Sequence, residues 1–106
     1  MSAWLTRLLD TDKIDAVAAT LAAMFARHAP GEKWRNLPVV ESIFHDMVGH
    51  AKGEKRKNHW GRIKTAILAN KLLWKLHGHG YPQDFCKQLS TRFSIALAQD
   101  DTAPSE

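Results

Sequence analysis

Apolar residues recur at intervals of three and four along most of the chain, the spacing that places them on one face of an α-helix. No segment shows the strict alternation that is typical of strands. The pattern predicts five helices, which cover approximately residues 3–9, 12–28, 38–51, 59–77 and 82–98. We therefore expect an all-α fold, a compact bundle of about five helices in a single domain. The predicted helical domain spans residues 1–98, and the polar, acidic residues 99–106 are predicted to form a short disordered tail.

The helix predicted for residues 59–77 is apolar around most of its circumference, and such a helix usually lies at the centre of a bundle. Trp60 and Trp74 lie on its apolar arc, so we expect both in the core. Trp34 and Tyr81 lie in polar or glycine-rich segments instead. These two are the aromatic residues that we expect to be available for stacking on bases.

A repeat links two segments that lie between predicted helices. The segments 28–36 (HAPGEKWRN) and 50–58 (HAKGEKRKN) are identical at six of nine positions, and residues 77–80 repeat the spacing of His, two residues and Gly. Helix capping explains much of the repeat, because Gly accepts a positive φ and Asn36 or Asn58 can cap the helix that follows. Duplication of a helix-and-loop unit is the alternative interpretation. Both segments also place cations before a predicted helix N-terminus, where an anion is favoured. In a bundle of alternating helices they lie at opposite ends of the helix between them and cannot hold one small ligand.

Composition and charge narrow the classes of function. Hydrophobic residues form 44% of the 106 residues and charged residues 25%, as in an ordinary globular domain. No apolar stretch approaches the length of about 20 residues that crosses a bilayer, so we expect no membrane role. Cys86 is the single cysteine and no secretion signal is evident, so we expect a cytoplasmic protein. Residues 1–98 contain 15 Lys and Arg against 8 Asp and Glu, a net charge of +7 that favours an anionic partner.

The positive residues are concentrated between residues 50 and 80, where eight Lys or Arg accompany one acid, Glu54. No acid interrupts the row that four of the lysines form, and like charges at such spacings repel each other. A phosphate backbone would relieve the repulsion and release counterions. On a helical wheel these four lysines fall within about 40° of each other, and they are Lys57, Lys64, Lys71 and Lys75.

We therefore predict a non-catalytic protein that binds the phosphate backbone of a nucleic acid, either DNA or RNA, and that can be a small subunit of a nucleoprotein complex. The alternative is a helical interaction module, an adaptor, regulator or inhibitor, whose basic face docks on an acidic partner protein, because charge complementarity leaves the same pattern. A helix-turn-helix formed by the last two predicted helices is a further interpretation. The predicted contact residues are Lys57, Lys64, Lys71, Lys75, Lys33, Arg35, Lys55, Arg56 and Trp34.

The histidines raise a third hypothesis, a metal-dependent enzyme. The pair His45-Asp46 resembles the paired residues of the HD phosphohydrolase family, and the resemblance covers these two adjacent residues. It implies a metal site, whereas the position of both residues opposite the apolar stripe of their helix favours a solvated face. A second candidate metal site combines His28, His77 and His79. Because the chain contains no Walker-type phosphate loop and no nucleophile-elbow pattern, we expect neither catalysis nor a cofactor.

Overall fold

The computed structural model of the protein describes residues 11–101. These residues form four α-helices, which we number in chain order, and one 3-10 helix, Gly31–Arg35, which precedes the second of them. The prediction of an all-α fold is confirmed for this range, which contains no strand. The helix predicted for residues 3–9 lies outside it. The α-helices are α1 (Thr11–His28), α2 (Leu37–Asn58), α3 (Arg62–Gly78) and α4 (Gln83–Asp101).

The helices α1 and α4 each pack against both α2 and α3. Two contacts fix the helix directions. Lys13, near the start of α1, has its Nζ 3.8 Å from Oε1 of Glu54, near the end of α2. Tyr81 lies just after α3 and Ala29 just after α1. The hydroxyl of Tyr81 donates a hydrogen bond of 2.8 Å to the carbonyl oxygen of Ala29. One end of the bundle therefore holds the start of α1, the end of α2 and the start of α3, and the 3-10 helix lies at the other end.

The core is apolar and receives side chains from all four helices, on the faces that the helical spacing predicts. An aromatic cluster closes the end of the bundle that holds the 3-10 helix. There the ring of Phe25 lies 5.0 Å from that of Tyr81, and the ring of Trp34 lies 5.1 Å from that of Phe85. The largest fully buried side chains include Ile14, Leu21, Phe25, Met47, Leu68, Leu72, Leu76, Leu89, Phe93 and Leu97.

The two copies of the repeat have different structures. In the first copy, Gly31 has a φ of 62°, and Oδ1 of Asn36 accepts a hydrogen bond from the N–H of Val39 over 3.3 Å, so the predicted cap is confirmed. The second copy is not a loop, because α2 continues through it to Asn58, whose side chain donates to the carbonyl oxygen of Glu54. The reason lies in the third position of the repeat. Pro30 ends a helix since it has no N–H, whereas Lys52 continues one.

The helices α2 and α3 end in the same way. After α2, the N–H of His59 donates a hydrogen bond to the carbonyl oxygen of Arg56, and the N–H of Trp60 donates one to that of Lys55. His59 lies in the left-handed region, with a φ of 57°. After α3, Gly80 has a φ of 102°, and Gly80 and Tyr81 make the equivalent bonds to His77 and Leu76. This pattern is the Schellman motif. Its final residue is a buried aromatic in both cases, Trp60 and Tyr81.

Three other predictions are corrected. The helix predicted from residue 59 begins at Arg62, because His59 and Trp60 belong to the end of α2. Trp60 is buried as expected, but Trp74 is 53% exposed, because the main contacts of α3 within residues 11–101 are with α1 and α4 and Trp74 lies on the opposite face of the helix. The tail was predicted to begin at residue 99, whereas α4 continues through Asp101. The remainder of the predicted tail lies outside the described residues.

Candidate functional site

The predicted row of four lysines is divided between two helices. Lys57 lies in the last turn of α2, and Lys64, Lys71 and Lys75 lie on α3. The helical wheel assumed one continuous helix, and the left-handed conformation of His59 interrupts it. The four amines therefore do not form one straight ridge.

Two lysines of the row are held by a carboxylate. Nζ of Lys71 lies 3.5 Å from Oδ1 of Asp15 on α1, and Nζ of Lys75 lies 3.2 Å from the same oxygen. The hydrogen bond from Lys75 holds the pKa of Asp15 below its usual value, and the charge of Lys71 adds to the effect. The carboxylate that pairs with these lysines comes from a different helix. An inspection of the row alone therefore finds no acid.

Lys55 is not presented to a ligand in this fold, because only 6% of the residue is exposed. Its neighbours in the last turn of α2, Arg56 and Lys57, are exposed. The predicted cationic segment 55–57 also does not precede a helix N-terminus. It lies at the C-terminus of α2, where positive charges stabilise the helix dipole.

Three cations lie in the turns on either side of the connection between α2 and α3, and we call Lys57, Arg62 and Lys64 the basic corner. Arg62 and Lys64 lie in the first turn of α3, which contains no acid, and the N-cap residue Gly61 has no side chain to cap the free N–H groups. None of the three cations forms an ion pair with another residue in the range 11–101. Free N–H groups and cations at a helix N-terminus are the arrangement that binds anions in many proteins.

The other predicted contact residues lie at the opposite end of α2. Lys33 is exposed, whereas Nε of Arg35 lies 3.0 Å from Oε1 of Glu32 and its guanidinium lies 5.1 Å from the centre of the Trp34 ring. The Trp34 ring is half-buried against Phe85, so it is only partly available for stacking. Since α2 has 22 residues, about 33 Å separates this group from the basic corner.

Tyr81 is not a stacking residue in this structure. The residue is only 5% exposed, and its hydroxyl is bonded to the carbonyl oxygen of Ala29. Burial raises the pKa of this hydroxyl above its usual value. The glycine-rich sequence before Tyr81 predicts an exposed loop. In the structure, Gly80 with its positive φ forms the Schellman motif at the end of α3, and this motif directs the Tyr81 ring into the core.

The geometry offers no support for a metal centre. His45 and Asp46 are exposed on α2, and among residues 11–101 no three His, Cys, Asp or Glu side chains are close enough to hold a metal ion. A surface cavity of about 530 Å³ is lined in part by His28, Ser42 and Asp46. No hydrogen bond joins these three side chains within the described part of the chain, so they do not form a nucleophile and base pair.

Sequence reasoning missed two residues that shape the site. The sequence pattern places Gly61 inside a helix and so gives Arg62 no special position; its place in the first turn of α3 follows only from the end of α2 at Asn58. Asp15 was missed because it lies more than 50 residues away from Lys71 and Lys75 in the chain. For Arg62, the sequence signal was the glycine that follows Trp60. For Asp15, no local sequence signal exists.

Comparison with known proteins does not identify a relative of this chain. No known protein family, curated protein or solved structure matches the chain significantly. In the part of the chain that the structure describes, no helix combines the length and apolar character needed to cross a membrane.

Proposed function

We propose that the protein binds the phosphate backbone of a nucleic acid at the basic corner. The observation that carries the proposal is the first turn of α3, where Arg62 and Lys64 lie beside uncapped N–H groups with no acid in the turn. A helix N-terminus is the positive end of the helix dipole, and cations there are unfavourable. A phosphate group bound at this turn would relieve the repulsion, and its oxygens would accept hydrogen bonds from the free N–H groups.

The charge of the whole protein supports a polymeric anion. The net charge is +4, and the last turn of α2 adds the exposed cations Arg56 and Lys57 beside the first turn of α3. Contacts of this kind read the phosphate backbone and not the base edges. The proposed binding is therefore largely independent of base sequence.

The predicted contact residues have unequal parts in this proposal. Lys57 and Lys64 remain contact residues, and Arg62 is added. Lys71 and Lys75 would have to exchange Asp15 for a phosphate, so they contribute less. Lys55 is removed because it is buried, and the group around Trp34 forms a separate and weaker contact at the far end of α2.

The experiment compares two double variants with equal charge. Lys57→Gln with Arg62→Gln alters the basic corner, and Arg27→Gln with Lys87→Gln removes two exposed cations at the opposite end of the bundle. Labelled duplex DNA, duplex RNA and single strands are titrated with each protein at several salt concentrations. For the duplex, loss of each phosphate contact should lower the slope of log K against log salt by about 0.9.

We expect the reduced slope for the basic-corner variant and an unchanged slope for the control. A wild-type protein that does not bind any of the probes at low salt would contradict the proposal. So would an equal loss in both variants, because net charge alone would then explain the affinity.

A further inference from the structure

The outward-facing side of α3 is apolar although nothing in the described fold covers it. Ile63 is 74% exposed and Trp74 is 53% exposed, and Ile67 between them is half-buried. Together with exposed Asn70 these residues lie within about 60° of each other on the helix. We call Ile63, Ile67, Asn70 and Trp74 the outer face of α3.

This face is distinct from the side of α3 that packs in the core. The buried residues Leu68, Leu72 and Leu76 point in the opposite direction, towards α1 and α4. Ile63 and Trp74 lie about three turns apart, with half-buried Ile67 between them, and together they form a continuous apolar strip with Asn70 as its polar member. Exposed apolar strips of this kind mark interaction sites. Trp is in addition among the residues that most often supply binding energy at protein interfaces.

A cationic edge runs beside the outer face. Lys64, Lys71 and Lys75 lie along the edge nearest α1, as the contacts of Lys71 and Lys75 with Asp15 demonstrate. Among residues 11–101, Asp15 is the carboxylate that forms ion pairs with this edge, and one carboxylate cannot neutralise three lysines, so the described part of the edge keeps a positive charge. The outer face of α3 is thus an apolar strip with positive charge along one edge.

We infer that the outer face of α3 binds an amphipathic helix of a partner protein, one that carries acidic residues along the edge that meets the lysines. The spacing of Ile63, Ile67 and Trp74 suits the apolar face of such a helix. Acidic residues on the partner complement the cationic edge and set its orientation.

Two other occupants fit the observations less well. A second copy of this chain would bring its own lysine edge to the same interface, and the like charges would repel. A lipid bilayer would bury the amide of Asn70, in the middle of the face, without hydrogen-bond partners. A partner protein can provide both the opposite charge and a hydrogen-bonding group for Asn70.

This inference does not rest on nucleic-acid binding. The two surfaces meet at the start of α3, where Lys64 belongs to both and Ile63 lies between Arg62 and Lys64 in the chain, whereas Trp74 lies about three turns away. The variants used below leave Lys57, Arg62 and Lys64 unchanged, and the variants of the nucleic-acid titration leave Ile63 and Trp74 unchanged. Each proposal can therefore fail while the other holds.

The experiment is a selection from a displayed library of amphipathic 20-residue helices. The library keeps an apolar stripe and varies the positions on both of its edges among Glu, Gln and Lys. It is selected in parallel on the wild-type protein and on the variant Ile63→Ser with Trp74→Ser. We expect the wild-type protein to enrich helices with Glu along one edge, and we expect no such enrichment on the variant.

Affinities of the selected peptide then test the surface directly. Binding should fall about tenfold or more in the Ile63→Ser, Trp74→Ser protein and when the Glu positions of the peptide are changed to Lys. The matched control is Leu37→Ser with Ile95→Ser, which removes two apolar side chains that are 68% and 54% exposed on other helices. It should bind the peptide as the wild type does. Circular dichroism is used to check that both variants remain folded.

Three outcomes would overturn the inference. The first is enrichment that does not prefer Glu to Lys or that is the same on the variant. The second is self-association, measured by sedimentation, that is lost in the Ile63→Ser, Trp74→Ser protein, since the face would then bind a second copy. The third is binding to vesicles of anionic phospholipid that depends on the same two residues.

Discussion

The hydroxyl group of Tyr81 links two chain segments that lie between helices. It donates to the carbonyl oxygen of Ala29, which no backbone N–H reaches in the described part of the chain. The ring also packs edge to face against Phe25, with 5.0 Å between centres. The side chain that the sequence suggested for a ligand is therefore a structural one.

We predict that Tyr81→Phe lowers the free energy of unfolding by about 1 to 3 kcal/mol, because the substitution leaves a buried carbonyl oxygen without a donor. Urea denaturation measures the change. Ser90→Ala is the control, since Oγ of Ser90 donates to the carbonyl oxygen of Ala69 inside α3, where the helix supplies a second donor. A loss for Ser90→Ala as large as that for Tyr81→Phe would contradict this account.

Asp15 gives the stability a dependence on pH. Its pKa is lowered from 3.8, first by the hydrogen bond from Lys75, so the ionised carboxylate stabilises the folded state. This contribution is complete above the ordinary pKa and is lost as the pH falls through the lower pKa of the folded protein. We predict that Asp15→Asn is less stable than the wild type at pH 7 and that the difference shrinks in acid.

The difference is measured as the shift of the urea midpoint at a series of pH values. Asp46→Asn removes the same charge from an exposed site on α2 where no ion pair is found among residues 11–101. Its midpoint should stay close to that of the wild type throughout. A difference between Asp15→Asn and wild type that grows towards low pH would show that the ion pairs do not stabilise the fold.

At the scale of the element, one residue decides whether the repeat forms a loop or a helix. Gly31 follows Pro30 and has a φ of 62°, whereas Gly53 follows Lys52 and lies inside α2. The two glycines occupy the same place in nearly identical sequences, yet only the first requires the freedom of glycine.

We predict opposite effects for the same substitution at these two positions. Gly53→Ala should raise the free energy of unfolding by about 1 kcal/mol, because alanine favours a helix interior and its Cβ would have open space. Gly31→Ala should lower it by about 1 kcal/mol because alanine is strained at positive φ. Urea denaturation of both variants gives the comparison, and the same sign for both would show that the repeat is alike in the two places.

The sequence predicts these elements where local rules decide them. The caps of Asn36 and Gly80 and the apolar faces of α1, α2 and α4 follow from residues close together in the chain. The end of α2 does not, because His59 adopts a left-handed conformation that few non-glycine residues take, and burial of Trp60 compensates for it. The predicted start of α3 at residue 59 therefore differs from the observed start at Arg62, and the basic corner does not follow from the sequence.

At the scale of the molecule, all four helices of the described range share one core. Leu72 is fully buried on α3, which packs against both α1 and α4. We predict that Leu72→Ala lowers the free energy of unfolding by about 2 to 5 kcal/mol, through lost burial and the cavity that remains. Circular dichroism and tryptophan fluorescence should give the same urea midpoint, since a shared core unfolds as a unit. Two separate midpoints would contradict a shared core.

The sequence does not predict how the helices pack against each other, and this packing decides which side chains are exposed. Trp74 and Leu72 both belong to an apolar helix, and only the positions of α1 and α4 decide that one is covered and the other is not. The ion pairs of Lys71 and Lys75 with Asp15 depend in the same way on how α1 lies against α3. Local patterns identify which residues are apolar or charged, and packing decides which of them face a partner.

The length of α2 has a consequence for any nucleic acid that meets both of its ends. Its 22 residues span about 33 Å, close to one turn of a DNA duplex at about 34 to 36 Å. Under the proposed function the length of α2 therefore sets a spacing of about one duplex turn between Lys57 at its end and Lys33, which precedes its start. Duplexes shorter than about ten base pairs reach one end alone, and their affinity should depend on Lys57 but not on Lys33.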